Sequence, residues 1–124
     1  IDLRSCDNSK IYPGETAKFP TGYSIYMKDP TLCAFIMPRS SLGIKGILPA
    51  NVLGLIDSDY QGEMVVYLKN HSNEPYEVSN GDRIAQLVFL NVQDIVFKPV
   101  TKFSEITERG EGGFGSTGKG YGEV

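Results

Sequence analysis

Apolar and polar residues alternate in short runs along this chain of 124 residues, and no window sustains the 3.6-residue apolar period of an amphipathic helix. EMVVYLKN (Glu63 to Asn70) and RIAQLVFLNV (Arg83 to Val92) are rich in β-branched and aromatic side chains, and PYEV between them alternates. HSNE and Ser79-Asn80-Gly81-Asp82 bound these runs with turn residues. The same reasoning predicts strands at TAKFPTG, YSIYM, CAFIM, ILPANVLGLI and DIVFKPV, with turn signals at Pro13-Gly14 and Asp29-Pro30. One short helix is predicted around Ser40 to Lys45. The expected body is an all-β sandwich or barrel of about ten short strands.

The last sixteen residues, Arg109 to Val124, break this pattern and hold seven of the 14 glycines. Such a run cannot build a core, but it lets successive backbone N–H groups converge on an anion. The expected organisation is a β domain over residues 1–108 and a flexible glycine-rich arm over residues 109–124, folding over a phosphorylated ligand. Arg109, Phe114, Ser116 and Thr117 supply a charge, a stacking face and two hydroxyls, which a merely disordered tail would not need. G-x-G-x-x-G occurs at Gly110 and Gly113, and GxxxxGK from Gly113 to Lys119. Gly120 then stands where a P-loop needs Ser or Thr, and too little chain follows for a helix, so both nucleotide fingerprints are rejected.

Charge narrows the classes further. Twelve basic and fifteen acidic residues are interspersed for a net charge of −3, which is no footprint for polymeric DNA or RNA, whereas a single nucleotide needs only a few local cations. No apolar run reaches the length of a membrane span or a signal peptide, so a soluble intracellular protein of cytoplasm or nucleus is expected. The start at Ile1, without methionine, suggests missing upstream residues. Cys6 and Cys33 allow one disulfide, but they are read as two buried free thiols in a reducing compartment. His71, the single histidine, falls in the polar HSNE turn and is expected to be exposed. Ser-His-Asp, Cys-His and His-rich zinc chemistries are thereby closed.

Phosphoanhydride hydrolysis needs cations or N–H groups on the phosphates, usually magnesium, and a carboxylate to deprotonate water. MPRSSLGIKG (Met37 to Gly46) offers Arg39, Ser40, Ser41, a glycine turn and Lys45 after an apolar strand; it is equally readable as an ordinary polar turn. GLIDSDYQGE (Gly54 to Glu63) offers Asp57, Asp59 and Tyr60 in an expected β-hairpin, where Asx-turn chemistry alone would also explain the acids. Arg83 and Gln86 in NGDRIAQL are three apart, which on a regular strand sends them to opposite faces unless a bulge intervenes.

Taken in order, these segments resemble the trimeric dUTP pyrophosphatases (dUTPases) over essentially the whole chain. IDLRSC is similar to the end of the family's first motif, PRSSLG to its second, GLIDSDYQGE to its third, GDRIAQL to its fourth and RGEGGFGSTG to its fifth. The resemblance implies a jelly-roll-like β-barrel and a homotrimer with active sites at subunit interfaces, each closed by a neighbour's arm. It implies hydrolysis of dUTP to dUMP and pyrophosphate with Mg²⁺ on the triphosphate, limiting uracil incorporation into DNA and supplying dUMP for thymidylate synthesis. By that likeness Asp57 is the base for water and Asp2 supports the metal through its water shell. Ser40, with N–H groups around Arg39 and Ser41, holds phosphate oxygens, Gln86 reaches a phosphate, and Arg83 fixes the loop bearing Asp57. Tyr60 packs under the deoxyribose, and the hairpin from Asn51 to Tyr60 reads uracil, Asn51 included. In the arm, Phe114 stacks on uracil, Arg109 binds phosphate, and Gly115, Ser116 and Thr117 hold the γ-phosphate.

Two departures from the family pattern stand out. The residues that normally precede Asp2 are absent, and GIKGILPANVLG lacks a histidine after Lys45. The nearest rival resemblance is to dCTP deaminase, which needs a glutamate in the strand after the third motif, where this chain has Tyr67. A second rival is a binding protein that keeps the fold without turnover; Asp57, Ser40, Gln86 and Arg109 argue against it.

Overall fold

In the computed structural model, which describes residues 1–121, the chain divides into two compact units, Ile1–Asp94 and a second from Ile95 onward. The first carries nine strands and one helix: β1 (Asp2–Arg4), β2 (Ser9–Ile11), β3 (Thr16–Pro20), β4 (Leu32–Met37), α1 (Ser40–Ile44), β5 (Ile47–Pro49), β6 (Gly54–Asp57), β7 (Val65–Asn70), β8 (Tyr76–Val78) and β9 (Arg83–Asn91). Every ladder is antiparallel. Sheet order is β1-β9-β4-β6, β3-β7-β5 and the pair β2-β8. The fold is therefore all-β and jelly-roll-like as expected, but built as three open sheets rather than one closed barrel.

Alternation dictates the core. In β7, Val66, Leu68 and Asn70 point inward while Val65, Tyr67 and Lys69 point away. Leu68 and Phe19 are 0% exposed, and they join Leu3, Ile11, Ala34, Ile47, Ile84 and Ala85 in a single cluster. Pro20 and Pro49 fall in β3 and β5, the edges of their sheet, where a missing N–H removes no ladder bond. Asn70 is the polar exception inside. Its Nδ2 donates to Ile11 O at 2.8 Å and Glu74 O at 2.7 Å, and its Oδ1 accepts from Ser72 N at 2.8 Å and Ser72 Oγ at 2.7 Å. A buried amide satisfied on all sides thus closes the turn after β7.

Several expectations need correction. YSIYM forms no strand: Ile25 and Met27 pack on the core and Tyr23 and Tyr26 face out, so the alternation records one-sided burial without a ladder. DIVFKPV forms none either, and Ile95, Val96 and Phe97 are exposed. ILPANVLGLI is split by a turn in which Leu53 N donates to Asn51 O at 2.7 Å and Val52 takes φ +66°. The halves enter different sheets, β5 on β7 and β6 on β4, so Asn51 to Tyr60 is a turn and a strand rather than a two-stranded hairpin. Both cysteines are free, but only Cys33 is buried; Cys6 is exposed. His71 is exposed in its loop, as expected.

From Ile95 onward the backbone has turns and bends without strands or helix among the described residues. Gly110 N to Thr107 O, Gly112 N to Arg109 O, Ser116 N to Gly113 O and Gly118 N to Gly115 O are successive turn bonds of 3.0 to 3.1 Å. Residues 122–124 of the expected arm lie outside the described residues.

Candidate active site

The four-stranded sheet turns one face to the core through Leu3, Ala85, Leu87, Ala34 and Ile36. Its other face is laid out in three cross-strand rows: Asp2–Gln86–Met37, then Val88–Phe35–Leu55, then Leu90–Cys33–Asp57. The middle row is apolar, and Leu55 is 59% exposed. Expected site residues therefore occupy two opposite corners of one face. Gln86 and Asp57 lie on either side of β4 and four residues apart along it, which separates their Cα atoms by roughly 16 Å.

At the first corner a bulge settles the parity of β9. Leu3 pairs with Ala85 and Arg4 with Arg83, so Ile84 is the extra residue, and Ile84 and Ala85 are both buried. The bulge adds one residue between Arg83 and Gln86 and returns them to the same face, overturning the opposite-face reading. Asp2 faces Gln86 across the ladder and divides its carboxylate between two guanidinium groups, Oδ2 to Arg83 Nε at 3.3 Å and Oδ1 to Arg39 Nε at 3.5 Å. Arg39 also donates to Arg83 O at 3.3 Å, and Gln86 Nε2 to Pro38 O at 3.4 Å. Arg39 is the N-cap of α1 without a side-chain cap bond, and Ser40 and Ser41 are exposed in its first turn.

Beside this corner a cleft of about 300 Å³ is lined by Arg4, Arg39, Lys45 and Arg83 with Ser41 and Tyr76. Asp82 also lines it, and four cations against that one carboxylate suit a polyanion. Partial burial pushes the Tyr76 phenol above its usual range, the Asp82 carboxylate adds to the shift, and the Arg39 guanidinium partly opposes it. Lys45 was among the residues of MPRSSLGIKG expected to suit phosphate; Arg4 was missed, since nothing in IDLRSC announces which face of β1 the guanidinium takes.

β6 carries the remaining expected residues at its two ends: Gly54 pairs with Ile36, near the first row, and Asp57 with Cys33 at the second corner. Asn51 and Gly54 line a cavity of about 360 Å³ with Ile36, Pro49 and Tyr67. Asp57 and Tyr60 line a neighbouring cleft of about 480 Å³ with Lys18, Glu63 and Tyr67. Tyr67 borders both. Asp57 is exposed at the end of β6. Tyr60 N donates to Asp57 O at 3.1 Å and its hydroxyl to Glu63 O at 2.8 Å.

The arm residues stand in the second unit. Arg109 Nε donates to Gly112 O at 2.7 Å, Phe114 is fully exposed with φ +46°, and Gly115 takes φ +94°. Ser116 and Thr117 are exposed.

Among the described residues no three acidic, cysteine or histidine side chains gather as a metal cage. Asp2 is a single, partly exposed carboxylate already shared by two arginines, so it fits a hydrated Mg²⁺ only through hydrogen bonds from the metal's waters.

The dUTPase family model matches residues 1–118. The deoxyuridine 5'-triphosphate nucleotidohydrolase of Haemophilus influenzae (strain PittEE) is 54% identical over 122 residues, covering 96% of this chain and 80% of that protein. Among solved structures, the Staphylococcus bacteriophage 80alpha dUTPase with dUpNHpp superimposes with a TM-score of 0.86 at 25% identity, over 95% of this chain and 85% of that one. A mutant dUTPase from phage phi11 of S. aureus, described for its coordination of a structural Mg(II) ion, shares the fold with a TM-score of 0.76 at 20% identity, over 84% of each chain. The chain belongs to the dUTPase family.

Proposed function

We propose that this chain hydrolyses dUTP to dUMP and pyrophosphate, as a homotrimer whose active sites take residues from more than one copy. The observation that carries the reading is the exposed Asp57 carboxylate at the end of β6, beside Tyr60, in a chain that matches the family over residues 1–118. Asp57 accepts a proton from the water that attacks the α-phosphorus; the bond to the bridging oxygen breaks and pyrophosphate leaves. Arg39, the N–H groups and hydroxyls of Ser40 and Ser41, and Gln86 hold the phosphates. Mg²⁺, when bound, neutralises charge on the triphosphate, and Asp2 orders its water shell. Arg83 steadies Asp2 within its own chain and the Asp57 loop of a neighbour.

Asn51 and the adjoining backbone read uracil, and Tyr60 packs under the deoxyribose. Phe114 of the arm stacks on the base, while Arg109, Gly115, Ser116 and Thr117 engage the phosphates and exclude water. The roughly 16 Å between Asp57 and Gln86 within one chain favours a shared site. An exposed apolar row between the two corners supplies a surface for a second copy. Tyr67 beside the Asn51 cavity cannot serve as a deaminase carboxylate. Among the described residues no helix is long and apolar enough to cross a membrane.

The test is pyrophosphate release from dUTP, with dTTP, dCTP and UTP alongside, in Mg²⁺ and in EDTA. Release confined to dUTP and lost in Asp57→Asn is the expected result. Tight binding of dUTP without release would make this a binding protein, and ammonia from dCTP a deaminase.

A further inference from the structure

We infer that Gly62 is a positioning residue for sugar discrimination, its missing side chain being what allows the Tyr60 ring to lie where the deoxyribose is read. The inference rests on the proposed role of Tyr60. From that residue the chain turns sharply, and the phenol folds back so that its hydroxyl reaches Glu63 O at 2.8 Å. The ring thereby covers position 62. A Cβ there would lie 2.5 Å from Tyr60 Oη, 2.6 Å from Cζ and 2.9 Å from Cε1. Carbon contacts are normally at about 3.5 Å or more, so a methyl group and this ring position are incompatible.

The backbone makes no such demand. Gly62 is not among the residues with positive φ, so alanine fits its conformation. What must give is the far end of Tyr60, which is 43% exposed and has room to swing outward. The frame beneath it is fixed. Glu63 Oε1 accepts from Gly22 N at 3.2 Å; Met64 N donates to Tyr23 O at 2.8 Å, and Met64 O accepts from Thr21 N at 3.3 Å and Thr21 Oγ1 at 2.6 Å. Met64 and Thr21 are 2% and 4% exposed. Alanine at 62 should therefore move the ring and leave the frame in place. A displacement on the order of 1 Å is enough to clear the methyl group, and misplacement on that scale can cost about 10²-fold in turnover.

The experiment measures kcat/KM for dUTP and for UTP, together with urea unfolding, in wild type, Gly62→Ala, Tyr60→Ala and the double variant. Gly62→Ala is expected to fold and to lower the dUTP:UTP preference by about 10-fold, a shift within the range that pocket shape alone controls. Tyr60→Ala should lower it at least as far, and the double variant no further than Tyr60→Ala. An unchanged preference in Gly62→Ala, with a lowered one in Tyr60→Ala, overturns the inference and leaves the reading of Tyr60 standing. An unchanged preference in Tyr60→Ala removes that reading and this inference with it. Should Gly62→Ala fail to fold, the double variant decides: with the ring gone, alanine at 62 must be tolerated, and destabilisation there would make residue 62 a backbone requirement and sink the idea.

Discussion

Asp2 and Arg83 meet across the bulged end of the β1–β9 ladder, Oδ2 to Nε at 3.3 Å, while Arg39 holds the other oxygen at 3.5 Å. All three side chains are partly exposed, so these ion pairs should add at most about 1 kcal/mol to stability. Asp2→Asn is expected to unfold at nearly the wild-type urea concentration yet to lose at least about 10-fold in kcat/KM for dUTP, because Arg39, proposed to hold phosphate, and Arg83, proposed to steady the Asp57 loop, lose their common tether. Steady-state kinetics and urea unfolding on one preparation check both halves. A large stability loss would make the cluster structural.

Asp57→Asn keeps the size of the side chain and removes the base. Turnover should fall by about 10² to 10⁴-fold, the usual contribution of a positioned general base. Calorimetric binding of dUpNHpp should be retained, since the phosphates are held elsewhere.

Sharing of the site between copies predicts complementation. Asp57→Asn and Gln86→Ala are each expected to be nearly inactive alone. Refolded together, they should regain dUTP hydrolysis in assemblies where an intact Asp57 corner meets an intact Gln86 corner. No recovery in verified mixed oligomers would place each site within one chain. Leu55→Lys, in the exposed apolar row, should shift sedimentation toward monomer.

Asn70→Ala removes two donated and two accepted hydrogen bonds at a fully buried position. The Ile11 carbonyl would lose this donor, whereas Glu74 O keeps Ser72 Oγ at 3.0 Å, and a cost of about 2 kcal/mol is expected, read as a lower urea midpoint at unchanged slope.

Truncation after Glu108 should leave a folded, assembled protein with little turnover, because the nine strands among the described residues end by Asn91. Circular dichroism and sedimentation test the first half, and kcat for dUTP the second. A truncated protein keeping most of its kcat would remove the arm from the mechanism.

The main strands were legible because β4, β7 and β9 combine β-branched composition with one-sided burial. YSIYM shows where the same signal misleads: alternation reports which side chains are buried, and a ladder needs a partner strand as well. The residues of the first corner were visible one at a time, but their meeting depends on register, which no local pattern in IDLRSC or GDRIAQL encodes. The Asn51–Tyr60 segment was read as a hairpin; its split between two sheets was not legible, because β5 and β6 pair with strands distant in sequence. Gly62 carried no signal at all, since its role lies in the fold of the Tyr60 ring above it.

The bulge at Ile84 is what lets a spacing of three put Arg83 and Gln86 on one face. Straightening this end of β9 with every residue kept would send the guanidinium and the amide to opposite sides of the sheet, whereas deleting Ile84 together with the bulge would leave a spacing of two and keep them together. The extra residue and the irregularity therefore have to be gained or lost as a pair.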